Sequence, residues 1–388
     1  MSGVAPSAIL ALAAECRRRQ ALGADIVDLG LGEPDTPTPA HVGSAAAQAV
    51  AQGHTRYTPP AGVAPLRSAI VRRFAQEGLA YAPREVMVTC GAMGALSCAF
   101  HATVGAGDEV LLPAPYYPPY LTQIALVGGQ AVIIPTDEAD AFKLRPQRLR
   151  AALTDRSRVL VLNTPNNPAG TVYTRAELSA LAAVALEAGL LIVADEVYSD
   201  LVAGPEAFVS VAALSPEVRR QTLVVRSVSK SYAMTGWRIG YAAGPEPLLK
   251  AMTRVQEALL VMPPSVSQWA ALEALTGPQD CLRALAGSLA ERAVYARQRL
   301  QAMPGVRCAP AGGTFFAFPA LGPPGSDVTG LCASLLDSYG VAIVPGHAFG
   351  IPWCARVSCA SPRTQLEAGL DRLERGLEQA RRRDGHAA

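Results

Sequence analysis

Across residues 84–243 the chain repeats one pattern, a short run of Val, Ile and Leu without polar alternation followed by a stretch with helical spacing. The runs fall at 86–90, 109–113, 131–134, 159–163, 190–195, 223–227 and 239–243, and helical spacing falls at 94–103, 118–127, 146–153 and 175–187. A strand with one face in water alternates apolar with polar residues, so unbroken apolar runs predict strands covered on both faces. The fold class that follows is α/β, with a mostly parallel sheet flanked by helices.

The two chain ends have a different texture. Residues 6–22 predict an amphipathic helix and 361–383 a long terminal one, preceded by strand-like stretches at 314–318 and 356–359. A helical stretch at 281–303 links them to the middle of the chain, and no Gly/Ser linker intervenes. A chain of 388 residues, half of them apolar, exceeds the roughly 250–300 residues at which single cores stop growing. We therefore expect a large domain at 41–285 and a smaller α+β domain built from 1–40 and 286–388. The tail, 381–388, with its Arg triplet, reads as a solvated, frayed helix end.

A formal charge of +2 gives no electrostatic footprint for nucleic acid or an anionic membrane. The N-terminus lacks a basic region before its apolar residues, and no stretch reaches the roughly 18 apolar residues of a membrane span. A cytoplasmic protein acting on small molecules is the expectation. Eight cysteines are scattered without a C-x-x-C pair, and the five histidines never pair with them at ligand spacing, so reduced, mostly buried thiols and no metal site are expected. Of 34 basic residues only Lys143, Lys230 and Lys250 are lysines. Where a bare positive charge suffices this chain uses Arg, so a retained Lys suggests chemistry that a guanidinium cannot do, such as forming an imine.

In open α/β sheets, ligands bind beyond the carboxyl ends of the strands. The residues that follow the apolar runs are Gly91-Ala92-Met93-Gly94, Asn163-Thr164-Pro165-Asn166-Asn167-Pro168, Asp195-Glu196-Val197-Tyr198 and Ser227-Val228-Ser229-Lys230. Together they offer an amine, an acid, polar donors and a glycine turn suited to cradling a phosphate, which is the set that pyridoxal 5′-phosphate (PLP) requires. The stretch SVSKSYAMTGWRIGY, with NTPNNPAG, ADEVYSDL, TRYTPPAG and LGEPDTPTP upstream of it, resembles the class I/II aminotransferases of PLP fold type I, of the aspartate-aminotransferase kind. The resemblance runs over about 6–377, with its motifs in the family's order.

The resemblance implies a role for each matched residue. Lys230 would hold the cofactor as a Schiff base and then move a proton between the substrate Cα and the cofactor, for which its pKa must fall. Asp195 would face the pyridine nitrogen, and Asn167 and Tyr198 would donate to the phenolic oxygen. Gly91, Ala92 and Met93, with Ser227 and Arg238, would cradle the phosphate, and Tyr57 would reach the phosphate of the other subunit of a homodimer. Tyr117 would stack on the ring, with Tyr116 the competing occupant. Arg356, in CARVSCA, would hold the substrate carboxylate with Asn167, and Gly32 would let the N-terminal segment close over it. The implied reaction moves the amino group of an α-amino acid to a 2-oxo acid by a ping-pong route. A PLP-dependent lyase, cyclase or oxidase on the same scaffold is the alternative, since all begin with the same carbanion.

Some positions depart from the family's pattern. Met93 stands where some relatives have a basic residue, and Ile9 and Leu10 where some have a hydroxyl, which favours a medium or apolar substrate side chain over aspartate. Thr36 replaces a common aromatic, and Pro118-Pro119 follow Tyr117 in place of less rigid residues. His101, on an apolar helix, is expected to be a satisfied core histidine rather than an active-site residue.

Overall fold

A computed structural model describes residues 7–202 and 208–385. Pro6, where the first helix was expected to begin, and tail residues 386–388 lie outside the described residues. All seven apolar runs form strands of one sheet: β1 Val86–Cys90, β2 Glu109–Pro113, β3 Gln130–Ile134, β4 Ser157–Asn163, β5 Leu191–Asp195, β6 Thr222–Ser227 and β7 Ile239–Ala243. Their order across the sheet is β1-β7-β6-β5-β4-β2-β3. Six strands share one direction, and β7 alone is antiparallel to both its neighbours. In the central strands Ile192, Val193, Leu223 and Val224 are all fully buried, as two-sided covering requires.

The register aligns the residues that carry chemistry. Asn163 pairs with Asp195, Ser227 with Gly240 and Cys90 with Ile239. Because β7 runs backwards, its preceding residue, Arg238, lies at the same edge as the residues that follow the other strands. That edge is the carboxyl end of an otherwise parallel sheet, where the crossovers leave a crevice.

The predicted helices appear as Gly91–Thr103, Pro119–Leu126, Pro146–Ala151 and Arg175–Glu187. Thr174 caps the last of these, its hydroxyl accepting from the Glu177 N–H while the Glu177 carboxylate accepts from the Thr174 N–H at 2.7 Å. Ala40–Ala51, Ala64–Gln76, Glu246–Leu260, Ser265–Thr276 and Thr329–Tyr339 are further helices that the sequence pattern did not single out.

Near the chain ends, helices Ala8–Ala21, Asp280–Ala302 and Arg363–Gly385 appear close to where they were expected. Val27 and Leu29 share a core with Ala296, Leu300, Val341, Val357 and Leu370, so both ends pack together. The strand-like stretch at 314–318 shortens to Phe316–Ala317, because Thr314 takes a left-handed backbone (φ +64) that breaks the strand. Phe316–Ala317 and Val344–Pro345 flank β8, Ala355–Ser358, on opposite sides. Arg292, on the long helix, pairs with Asp35 at 3.0 Å and donates to the carbonyls of Ala360 and Ser361, fastening the N-terminal segment to the chain after β8.

All eight cysteines are free, and five of them are buried. Among the described residues no helix is long and apolar enough to cross a membrane, and no His/Cys/Asp/Glu cluster could hold a metal.

Candidate active site

Lys230 sits on a single helical turn, Val228–Ser231, that leaves β6 with Ser227 as its cap; the Ser227 hydroxyl accepts from the Ser229 N–H at 2.8 Å. The Lys230 side chain is mostly buried, and its Nζ donates to the Gly32 carbonyl at 2.7 Å. Burial lowers its pKa to about 8, helped by the cations Arg356 and Arg238 and opposed by Glu33. A surface lysine would show neither feature.

Asp195 ends β5 and is 3% exposed. Burial raises its carboxyl pKa to about 6, against two hydrogen bonds that favour the ionised form. One comes from the Tyr120 hydroxyl to Oδ2 at 2.5 Å, the other from the Val197 N–H to Oδ1 at 3.3 Å. Tyr120 was missed by the sequence reading. Its signal was its position three residues after Tyr117, and the two rings meet edge to face at 5.6 Å. Asn163, named among the residues after the strands but given no role of its own, links two of the others: its amide donates to the Asp195 carbonyl at 3.0 Å and its Oδ1 accepts from the Asn167 N–H at 2.7 Å.

Arg356, on β8, is 1% exposed and lies between the faces of Phe316 and Phe349, 4.4 and 5.1 Å from their centroids. Its fork donates to Asn167 Oδ1 at 2.9 Å and to the Gly30 carbonyl at 2.6 Å, while its Nε is buried without a partner. Burial lowers its pKa to about 10. The Asn167 side chain therefore faces the guanidinium and does more than shape a turn. It also lies beside Tyr198, whose phenol burial pushes far above its ordinary value. A Cβ at Gly32 would stand 2.8 Å from the Phe316 ring, so glycine is what lets the N-terminal segment lie against this wall.

Gly91 opens helix Gly91–Thr103 with φ +68, and Ala92 and Met93 follow it in the first turn. Its N–H donates to the Arg238 carbonyl at 3.1 Å, and a Cβ there would lie 2.5 Å from the Arg238 guanidinium. Arg238 is exposed, takes a left-handed backbone, and donates to the Thr235 carbonyl at 2.8 Å. Tyr117 is half-buried at the cleft, whereas Tyr116 packs in the core beside Phe349 and Gly350.

Tyr57 stands apart from this assembly. It is 85% exposed, which excludes a hydrophobic-core role. The expected core placement of His101 is also corrected. The residue is exposed in the last turn of its helix, where a ring nitrogen lies 2.8 Å from the Ser97 carbonyl four residues back, so the helix's own backbone supplies its partner. Ile9 packs on the core beside Leu12, Leu10 is exposed, the Met93 carbonyl accepts from Gln123 at 3.0 Å, and Thr36 is exposed.

The profile of the family described as "Aminotransferase class I and II" matches residues 24–373. The chain belongs to the class I and II aminotransferases. Aspartate aminotransferase of Geobacillus stearothermophilus is 40% identical over 384 residues, covering 97% of this chain and 98% of the relative. That of Bacillus subtilis strain 168 is 38% identical, with the same coverage. Among solved structures, aspartate aminotransferase from Rhizobium meliloti superposes with a TM-score of 0.92 at 37% identity over 97% of both chains. The Thermus thermophilus enzyme with maleate has a TM-score of 0.92 at 37% identity, over 97% of this chain and 98% of that one. The present aminotransferase is thus a PLP-dependent enzyme that transfers amino groups between amino and 2-oxo acids.

Its own residues fit that cofactor. Among the described residues the buried Asp195 carboxyl has no cationic neighbour to offset its burial and the buried Arg356 Nε has no hydrogen-bond partner, and a Cβ at Gly91 would fill the space in front of Arg238. A cationic ring nitrogen, a substrate carboxylate and a phosphate are the groups these three features call for.

Proposed function

We propose that this aminotransferase carries out a ping-pong exchange in which Lys230 holds PLP covalently and afterwards moves the Cα proton. The carrying observation is that an amine of lowered pKa and a buried carboxylate follow two strands at the carboxyl edge of the large sheet, where a buried guanidinium from β8 meets Asn167 at 2.9 Å. When bound, PLP supplies an aldehyde that condenses with amines and a ring that draws off electron density from Cα. Lys230, with a pKa near 8, is free to take up and return a proton near neutral pH. Asp195, ionised above about pH 6, keeps the ring nitrogen protonated, and Tyr120 and Asn163 hold it in place. Tyr198 and Asn167 donate to the phenolic oxygen. Gly91, Ala92, Met93, Ser227 and Arg238 hold the phosphate, and Tyr117 covers the ring face. Arg356 orients the substrate carboxylate and so the Cα–H bond, with Gly32 admitting the segment that excludes water.

In this reading 41–285 is the PLP-binding domain, and 1–40 with 286–388 is the smaller domain. The functional unit is a homodimer in which Tyr57 of the partner subunit completes the phosphate site. The exposed Tyr57 supports this, together with the exposed Leu259, Leu260 and Val261, a segment adjoined to it by the Thr58 N–H contact to Met262 Sδ at 2.8 Å. Free thiols throughout suit the cytoplasm. Met93 and Ile9 favour a medium or apolar donor, whereas the relatives are named for aspartate. A donor scan that includes aspartate and apolar amino acids, with two or three 2-oxo acids, tests both points. A sample that never exchanges the PLP and pyridoxamine phosphate absorbances with any donor overturns the transamination route, and release of ammonia without a 2-oxo acid moves the reading to a lyase.

A further inference from the structure

The four-residue turn that carries Lys230 is too short to hold its own shape, since a single helical turn fixes several dihedrals for one hydrogen bond. Something else must fix its orientation. On one side the amine reaches the Gly32 carbonyl. From the end of the same turn, Ser231, 2% exposed, donates its hydroxyl to Asp200 Oδ2 at 2.7 Å. Asp200 Oδ1 accepts from Arg73 at 2.5 Å, so both carboxylate oxygens are engaged. Arg73 comes from helix Ala64–Gln76, and Asp200 from the short turn Ser199–Leu201 that directly follows Tyr198. One carboxylate thus ties the backbone carrying the amine to the backbone carrying the phenol, and anchors both to a helix outside the sheet.

We propose that Asp200 is a positioning residue, which acts with Ser231 and Arg73 to aim the Lys230 amine into the cleft at a fixed separation from Tyr198. Its effect is geometric. Glu33, Arg356 and Arg238 are the charges that tune Lys230, and Asp200 is neutralised by its guanidinium partner. Among the described residues no hydrogen bond or ion pair joins Asp200 or Arg73 to the phosphate-cradle residues or to Arg356. The proposal rests on Lys230 being the PLP-holding lysine.

The test separates covalent capture from simple binding. PLP joins Lys230 through its aldehyde, whereas pyridoxamine phosphate fills the same cradle and has no aldehyde to offer. For Ser231→Ala, we expect the absorbance of lysine-bound PLP to develop roughly tenfold more slowly after mixing with apoprotein, and pyridoxamine phosphate affinity to stay within about twofold of the parent. Asp200→Ala should show the same split more strongly. Asp200→Asn should restore near-parental capture, because its amide can accept from Arg73 and donate to the Ser231 hydroxyl. Unchanged capture in Ser231→Ala, or a parallel loss of PLP and pyridoxamine phosphate binding, overturns the proposal. Should Asp200→Ala fail to fold, Ser231→Ala decides alone. Lys230→Ala is the control: if it still develops the absorbance, the underlying assignment of Lys230 fails, and if it does not while Ser231→Ala is normal, only the brace fails.

Discussion

Replacing Lys230 with Met should make the apoprotein more stable at neutral pH while abolishing covalent PLP capture. In the fold the Lys230 pKa falls from 10.5 to about 8, so the folded state disfavours the charged form. At about 1.4 kcal/mol per tenfold change in proton affinity, that costs about 3 kcal/mol wherever the amine is protonated in both states, below about pH 8. The cost shrinks as pH rises from about 8 to 10.5, since the unfolded chain there binds more protons than the folded one, and it vanishes above 10.5. Loss of the hydrogen bond to the Gly32 carbonyl offsets about 1 kcal/mol of the gain. The net expectation is a variant more stable by about 2 kcal/mol at pH 7 and slightly less stable than the parent by pH 10.5. Denaturant unfolding of both apoproteins at matched concentration across this pH range measures the difference. A variant that is less stable at pH 7, or a difference that ignores pH, would refute the reasoning that burial of an amine dominates this site.

Three further outcomes follow from the geometry. Arg356→Lys replaces a planar fork held between two phenylalanine faces with a point charge, so kcat/KM for the amino donor should fall roughly ten- to a hundredfold with PLP affinity unchanged, as steady-state kinetics and cofactor titration would report. Gly91→Ala puts a methyl group at φ +68 against the Arg238 guanidinium, and PLP affinity measured by titration should drop at least roughly tenfold, with a stability loss of about 1 kcal/mol. Lys230→Ala and Tyr57→Phe chains, each impaired alone, should regain activity when unfolded together and refolded, because half of the sites in a mixed dimer then have a native Lys230 and a native Tyr57; absence of any gain would argue against shared sites.

The strands were legible because covering on both faces demands unbroken apolar runs, and the residues that follow them were legible because parallel strands end at one edge. Strand direction was not. The run at Ile239–Ala243 reads the same either way, and only the sheet reveals that β7 is reversed and so brings Arg238 beside Gly91. Residues that act through neighbours were also hidden. Tyr120, although one turn beyond Tyr117, meets Asp195 across 75 residues, and Arg73 meets Asp200 across 127, separations at which local spacing cannot name the partner. His101 misled because an apolar helix suggests a buried face, yet a helical residue is placed by its angle around the axis, and this one points outward.

The perturbed groups describe what the cleft receives. Lys230, Asp195 and Arg356 are all displaced toward neutrality, and in each case burial is the leading cause. A chain selected for stability alone would pair these charges with one another, as Glu196, Arg226 and Glu77 are paired nearby at 2.7–2.9 Å. Instead Asp195 is met by a phenol and a backbone N–H, and Arg356 by an amide and a carbonyl; among the described residues neither joins an ion pair, and Asp28 acts on Arg356 only through its field. Neutral partners orient a charge without cancelling it. A ligand that brings a carboxylate to Arg356 and a protonated nitrogen to Asp195 recovers interaction energy that folding left unspent, and the Lys230 amine, its pKa lowered to about 8, gives up its proton and bonds to carbon more readily than an ordinary lysine.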